Sequence, residues 1–165
     1  MSKSLLRTDE EIESIYKRNV QVIYKICFTF MKNRHEAEDA VQETFLKLIS
    51  SGKSFESSEH EKAWLIRTAS NICKNNLKHW FKKREDIDEH INSIYSLDPP
   101  IDETLQAVMN LPDKYKTVVI LYYYEGYSSV DIARILKRPE STIRFYLCDA
   151  RKILKKRLGD SFYEQ

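Results

Sequence analysis

The segment from residue 62 to residue 84 carries side chains suited to binding nucleic acid. It contains seven basic residues and no acidic residue. Wound as a helix at about 100° per residue, it brings a basic and amide-rich set onto one face: Arg67, Asn71, Lys74, Asn75 and Lys78. Cations neutralise phosphates, and amides both donate to and accept from base edges. Solvated helix faces usually mix acids with bases, so this acid-free face favours a nucleic-acid surface over a merely solvated one.

Trp64 lies on the same polar arc of this segment. Two interpretations stay open for it. The indole either covers a neighbouring helix or, on a nucleic-acid face, stacks on an unpaired base.

A second basic segment runs from residue 134 to residue 157, with nine basic and two acidic residues. A short helix capped by Ser128, a turn over 137–139 and a basic helix from residue 140 predict a helix-turn-helix. The second helix of that motif enters the DNA major groove through its N-terminal residues. Its non-core arc carries the following candidates: Ser141, Arg144, Phe145, Cys148, Arg151 and Lys152.

The residues that most enzymes need are missing from the sequence. The chain has only three glycines, far apart, so neither a P-loop nor a dinucleotide-binding loop can form. Its four histidines form no H-E-x-x-H motif, and no nucleophile motif is present. We therefore expect no enzyme activity, no cofactor and no bound metal.

The three cysteines, Cys27, Cys73 and Cys148, are widely spaced and show no C-x-x-C pair. That usage indicates a reducing compartment, with each cysteine packed as a small hydrophobe. The longest apolar run, residues 118–124, is far shorter than a membrane span, and the N-terminus lacks the apolar stretch of a signal peptide. We expect a cytoplasmic protein without membrane insertion.

Charge is strongly segregated along the 165 residues, although the formal net charge is only +2. Between the basic segments, residues 85–113 hold eight acids and no Lys or Arg, together with the pair Pro99-Pro100. Such a stretch is typical of a linker. We predict a domain over 1–86, an acidic linker over 87–102 and a smaller helix-turn-helix domain over 103–165.

Apolar residues recur with a helical period over most of the chain, and no stretch alternates as a strand. The predicted fold is all-α, with two small helical domains. Thr8 and Glu11 form a capping box that opens the first helix. Further helices are expected at the following ranges: 36–50, 59–84, 103–110, 113–124, 128–136 and 140–158.

From about Ile12 to Leu158 the chain resembles an extracytoplasmic-function (ECF) sigma factor of bacterial RNA polymerase. Three motifs, in the family's order, carry the resemblance. They are Glu36–Leu48 (EAEDAVQETFLKL), Ala63–Leu77 (AWLIRTASNICKNNL) and the region from Leu111-Pro112 to Leu154.

The resemblance implies a partner for each motif. In the first motif, Asp39, Gln42 and Glu43 would dock on the β′ clamp helices of core RNA polymerase. In the second, Trp64, Arg67, Asn71, Lys74, Asn75 and Lys78 would bind the −10 element, with a flipped base held by the loop 53–60. The third would read the −35 element and contact the β flap. An anti-sigma factor is also implied as a partner. The resemblance also implies that the sigma factor itself melts promoter DNA by binding energy, without a nucleotide cofactor.

The −35 helix departs from the family pattern. It reads Ser141-Thr142-Ile143-Arg144-Phe145-Tyr146-Leu147, so Phe145 and Tyr146 replace the usual Ser and Arg. Ser141, Thr142 and Arg144 keep the pattern. Phe145 is a candidate for contact with a thymine methyl group. Asp149 either accepts from a cytosine amine or forms an ion pair with a nearby Lys or Arg, and the ion pair is the favoured reading.

Two other functions fit part of the sequence. One is a helix-turn-helix transcriptional regulator that binds duplex DNA without polymerase, its N-terminal helices serving dimerisation or a ligand. That reading leaves the acid-free face of the third helix unexplained. The other is a purely structural helical adaptor, which the segregated charge disfavours.

Overall fold

The computed structural model describes residues 7–84, the last four by their backbone alone, and residues 102–159. Every regular element in these ranges is helical. The α-helices are α1 Asp9–Met31, α2 Arg34–Ser51, α3 Ser58–Arg84, α4 Glu103–Met109, α5 Asp113–Val119, α6 Ser129–Leu136 and α7 Glu140–Leu158. This confirms the predicted all-α class.

Local capping chemistry sets where several helices begin and end. Thr8 and Glu11 form the predicted capping box at the start of α1. The Ser128 hydroxyl accepts a hydrogen bond from the Asp131 backbone N–H at 3.2 Å and so caps α6. Lys137, in the left-handed conformation with φ of 54°, ends α6 and starts the turn of the helix-turn-helix.

One difference from prediction lies after α5. The chain predicted as a single helix over 113–124 is α-helical only to Val119, and Ile120–Tyr124 form a π-helical turn. Its wider hydrogen bond runs from the Glu125 N–H to the Ile120 carbonyl oxygen at 3.1 Å. Apolar periodicity does not distinguish these two helix types, since Ile120 and Leu121 are buried in either.

Helices α1, α2 and α3 pack around one core, and we call them the N-terminal group. Ile23, Ile26, Phe30, Leu48 and Leu65 are essentially inaccessible to solvent at its centre. From α2, the following apolar side chains are buried in this core: Ala37, Ala40, Val41, Phe45 and Leu48. Burial of this size is the main source of stability for a small helical unit.

A buried polar cluster joins α1 to α3 within this core. The Glu61 carboxylate accepts hydrogen bonds from Arg18 at 3.0 Å and from the Asn19 side-chain amide at 3.1 Å. Since Glu61 is 7% exposed, removing either partner would leave a buried charge with fewer hydrogen bonds. The cluster thereby fixes the register of the helix that carries the acid-free face.

Helices α4 to α7 form the C-terminal group, whose core holds Leu121, Ile132, Ile143, Leu147 and Leu154. Its last two helices, α6 and α7, are joined by the turn at residues 137–139. They form the predicted helix-turn-helix. Residues 85–101, which include nearly all of the predicted acidic linker, lie outside the described residues. Asp102, its last residue, caps α4 through a hydrogen bond from the Leu105 N–H at 2.7 Å.

Candidate nucleic-acid and polymerase surfaces

The acid-free face of α3 contacts the C-terminal group. A guanidinium nitrogen of Arg67 donates to the Ile135 carbonyl oxygen in α6 at 2.6 Å. One turn further, the hydroxyls of Ser70 and Thr117 share a buried hydrogen bond of 2.9 Å. The sequence analysis did not predict these contacts, because residues 45–70 positions apart in the chain carry no periodic signal of their proximity.

Further contacts join the same two groups, and we call the whole interface the seam. Lys25 pairs with Glu125 at 3.1 Å, and Lys32 donates to Asn110 at 3.1 Å. Lys116, only 2% exposed, lies with its ammonium 5.2 Å from the centre of the Phe30 ring and 3.3 Å from the Asp113 carboxylate. Burial lowers the pKa of Lys116, while Asp113 opposes that shift.

Five of the six predicted −10 residues divide into two sets according to the seam. Arg67, Asn71 and Lys74 line a cleft between α3 and the C-terminal group, and Arg67 and Lys74 are half-buried there. Asn75 and Lys78 are exposed beyond it. Burial lowers the pKa of Arg67, and burial together with the nearby positive charge of Arg138 lowers the pKa of Lys74. The C-terminal group therefore partly covers Arg67 and Lys74 in this arrangement, whereas Asn71 lines the cleft but remains exposed.

Trp64, the sixth of these residues, packs beneath the loop that precedes α3. Its ring lies 5.9 Å from that of Phe55, and the Lys53 ammonium lies 5.9 Å from its centre. Lys53 and Phe55 belong to the loop that was expected to hold a flipped base. Trp64 thus joins the start of α3 to that loop, and an aromatic–cation cluster of this kind offers stacking surface to a base.

The outward side of α2 carries Asp39, Gln42 and Glu43, all exposed as predicted. Glu43 accepts a hydrogen bond from Asn76 of α3 at 3.2 Å, and Asp39 lies 3.7 Å from His35. The sequence analysis missed the apolar part of this surface. Leu46 is 63% exposed and Ile49 is 40% exposed on the same helix. Both fall out of phase with the buried stripe of α2, which was the available signal.

The outer face of α7 is open to solvent. Ser141, Arg144, Phe145, Cys148 and Lys152 are exposed, and Thr142 is half-buried. Phe145 is 59% exposed, a large fraction for an aromatic side chain in the first two turns of a helix. Arg144 lies 3.8 Å from Glu140, an exposed pair that leaves the guanidinium available. This arrangement suits insertion of α7 into a major groove.

Two predicted −35 residues have partners inside the protein. The ion pair expected for Asp149 is absent from the part of the chain that the structure describes. Its carboxylate instead accepts a hydrogen bond from the Tyr115 hydroxyl at 3.0 Å. The prediction was wrong because Tyr115, on α5, lies closer to that carboxylate than any described cation. Arg151 donates to the Tyr123 hydroxyl at 2.7 Å and lies over the Tyr122 ring, and the hydrogen bond raises its pKa.

The cysteines differ in exposure. Cys27 and Cys73 are buried, as expected, whereas Cys148 is exposed on α7. The expectation that every cysteine packs in a core is therefore wrong for Cys148. A hydrogen bond with Cys73, reinforced by burial, strongly raises the pKa of Cys27, so this thiol stays protonated and unreactive.

Neither a metal site nor a membrane helix occurs within residues 7–84 and 102–159. No group of three or more His, Cys, Asp or Glu side chains there is placed to hold a metal ion. None of the helices in these ranges combines the length and the apolar character needed to cross a bilayer.

In comparison with known proteins, each of the two groups of helices matches a sigma-70 family. Residues 15–84 match the sigma-70 region 2 family, and residues 101–154 match the sigma-70 region 4 family. The ECF RNA polymerase sigma factor SigW of Bacillus subtilis is 30% identical over 91% of this chain and 88% of its own length. The ECF sigma factor SigM of the same organism is 28% identical over 87% of this chain and 93% of its own.

A solved structure shares the fold. The sigma factor RpoE of Bartonella quintana, crystallised with the anti-sigma factor NepR, superposes with a TM-score of 0.72 at 22% identity. The match covers 92% of this chain and 98% of that chain. Taken with the two family matches and the full-length relatives, the order of α2, α3 and the helix-turn-helix shows that this chain belongs to the ECF family of RNA polymerase sigma factors.

Proposed function

We propose that this chain brings core RNA polymerase to specific promoters by docking through α2, binding the −10 element through α3 and the −35 element through α7. The observation that carries the proposal is the separation of surface chemistries. An acidic and apolar face on α2, an acid-free face on α3 and an open basic face on α7 occur in one chain. The proposed domains are 1–86 and 103–165, with the acidic segment 87–102 between them.

Docking is assigned to the outward side of α2. Asp39, Gln42 and Glu43 supply an acidic and polar surface for the β′ clamp helices, and Leu46 supplies the apolar contact that ordinarily anchors such an interface. The C-terminal group would contact the β flap. The proposal includes no catalytic residue: initiation draws on binding energy, and the reaction belongs to the polymerase. It also places the protein in the cell interior, where the polymerase and promoter are.

Promoter binding requires the two groups to separate. Arg67 and Lys74 are half-buried at the seam, so the −10 strand can reach these two side chains fully only after the C-terminal group moves away from α3. Simultaneous docking of both groups on the polymerase would supply the free energy for that opening. Asn71 and Asn75 would then contact the strand while Trp64 and the loop before α3 stack on a flipped base.

An anti-sigma protein is the proposed regulator. The Bartonella quintana relative was crystallised with one, and a protein that holds the two groups together would keep the α3 face covered.

Run-off transcription with purified core polymerase tests the function. We expect starts that depend on the protein when the promoter DNA is randomised, and the enriched −35 and −10 sequences identify what α3 and α7 read. The acidic face of α2 is proposed to meet a basic surface of the polymerase. Glu43→Lys should therefore lower transcription at least about tenfold, because it places like charges at the interface, which cost several kcal/mol. Glu13→Lys on α1, an exposed carboxylate given the same charge change, is the matched control. Tight duplex binding with no polymerase dependence would instead support the stand-alone helix-turn-helix regulator.

A further inference from the structure

The seam encloses a cleft whose charged side chains are all cationic. Its volume is about 180 Å³. Arg67 and Lys74 enter it from α3, Lys114 enters it from α5, and Arg138 enters it from the turn of the helix-turn-helix. Among residues 7–84 and 102–159, no acidic side chain lines the cleft. Lys114 and Arg138 are exposed, so the cleft opens to solvent on the side of the C-terminal group.

The positive charge in this cleft has little compensation within the described residues. Neither Lys74 nor Arg138 has an ion pair or side-chain hydrogen bond there. Burial and then the charge of Arg138 lower the pKa of Lys74, and Asp113 only partly opposes the shift. Asp113 itself lies 3.3 Å from the buried Lys116 ammonium. Closing the seam therefore brings together cations that have little counter-charge among the residues that the structure describes.

We propose that this cleft binds a compact anion of the phosphate class, with inorganic pyrophosphate as its simplest form. Two arginines offer forked N–H donors that match phosphate oxygens, and two lysines add point charges. Asn71 and Tyr146 line the same space and supply neutral donors. A monovalent anion would leave most of the positive charge unbalanced, whereas a diphosphate carries enough negative charge at neutral pH to balance most of it.

Because both groups contribute cations, the anion binds only when the seam is closed. It therefore stabilises the closed arrangement by mass action. If α3 binds the −10 strand as proposed, the anion competes with that strand for Arg67, Asn71 and Lys74, and this competition rests on the proposed function. Binding of the anion to the free protein does not, so the two can fail separately.

Isothermal titration of the full chain with sodium pyrophosphate, at constant ionic strength set with NaCl, tests the site. We expect one bound pyrophosphate per chain and a rise in melting temperature. The double variant Lys114→Gln/Arg138→Gln should weaken binding at least tenfold. Lys114→Arg/Arg138→Lys, which keeps both charges, should retain most of the affinity. Lys47→Gln/Lys156→Gln removes two exposed lysines outside the cleft and should bind like the unmodified chain.

Two results would overturn the proposal. One is equal weakening in the cleft variant and in the Lys47→Gln/Lys156→Gln control, which would indicate diffuse attraction to a basic surface. The other is no binding to a chain that melts cooperatively. A parallel titration with a short abasic DNA strand separates the two sources of phosphate. Displacement of pyrophosphate by the strand at lower concentration, with the same loss in the cleft variant, would assign the cleft to the DNA backbone rather than to a free diphosphate.

Discussion

The acid-free face of α3 and the outer face of α7 are both basic but lie in different environments. Both are basic faces of long helices with an apolar stripe behind them. On α7, Arg144 and Phe145 stand in solvent. On α3, Arg67 bonds to the backbone of α6 and Ser70 to a hydroxyl of α5. The comparison teaches that one proposed DNA surface is open while the other is partly covered, so proposed binding at α7 does not require the opening that full binding at α3 would require.

The largest expected effect is on DNA affinity and comes from a substitution on the open face of α7. Arg144→Ala should weaken binding to a duplex −35 site by about 1–3 kcal/mol, roughly 5- to 150-fold, because a major-groove arginine is lost. Binding of a single-stranded −10 oligonucleotide should not change. Fluorescence anisotropy with each DNA measures both affinities. Lys156→Ala, in the last turn of α7, is the control; equal weakening by both variants would contradict a specific role for Arg144.

Overpacking the seam tests whether the α3 face is held covered. Thr117 is 5% exposed and lies against Ser70. Thr117→Phe should force α5 away from α3 and raise affinity for a single-stranded −10 oligonucleotide about tenfold, within the 1–3 kcal/mol that overpacking costs. The affinity for duplex −35 DNA should stay constant.

Thr117→Val keeps the size of the side chain at this position and removes only the hydroxyl, so it serves as the control for opening. A −10 affinity that is unchanged in Thr117→Phe, in a protein that remains folded by circular dichroism, would show that the seam does not limit access to α3.

Tyr123 is expected to have a smaller effect on the open face. Tyr123→Phe removes the hydroxyl that holds Arg151 at 2.7 Å, and such a hydrogen bond contributes about 0.5–1.5 kcal/mol. The −35 affinity should fall about threefold as Arg151 loses its fixed position. Tyr124→Phe, on an adjacent exposed tyrosine, is the matched control. An increase in affinity would mean that Tyr123 withholds Arg151 from DNA rather than presenting it.

The smallest effect concerns the charge of Lys74 in the covered face. Its lowered pKa means that the folded chain disfavours the charged ammonium. Lys74→Met should raise the melting temperature by about 2 °C at pH 7, within the range expected for a change below 1 kcal/mol, while weakening −10 strand binding. A higher melting temperature combined with weaker −10 strand binding would distinguish Lys74 from the basic residues of α7.

The pH dependence of that stabilisation follows from the same shift. Between the lowered pKa and the ordinary pKa of lysine, the unfolded chain holds more protons at Lys74 than the folded chain does. The stability of the unmodified chain therefore gains from Lys74 as pH rises through that window. The advantage of Lys74→Met should shrink from pH 7 to pH 10 in scanning calorimetry, and a constant difference would contradict the assignment.

Local signals predicted most of the elements. The capping residues Thr8 and Ser128 and the helical periodicity placed the starts of α1 and α5, and both ends of α2, α3, α4, α6 and α7, to within about two residues of where they lie. They did not predict the π-helical turn at Ile120–Tyr124, because the spacing of apolar residues does not distinguish a π-helical turn from an α-helical one. The partners of Asp149 and Arg151 were missed for a related reason, because both partners lie on elements distant in the chain.

The sequence by itself determined the fold class, the family and the presence of two basic helix faces, because helix formation and burial depend on residue type and spacing along the chain. Tertiary structure alone decided which face is covered. The contacts from Arg67 to Ile135 and from Ser70 to Thr117 join residues 68 and 47 positions apart. Their strength depends on geometry that no local pattern encodes. The cationic cleft arises from the same packing, since neither group of helices holds all four of its cations alone.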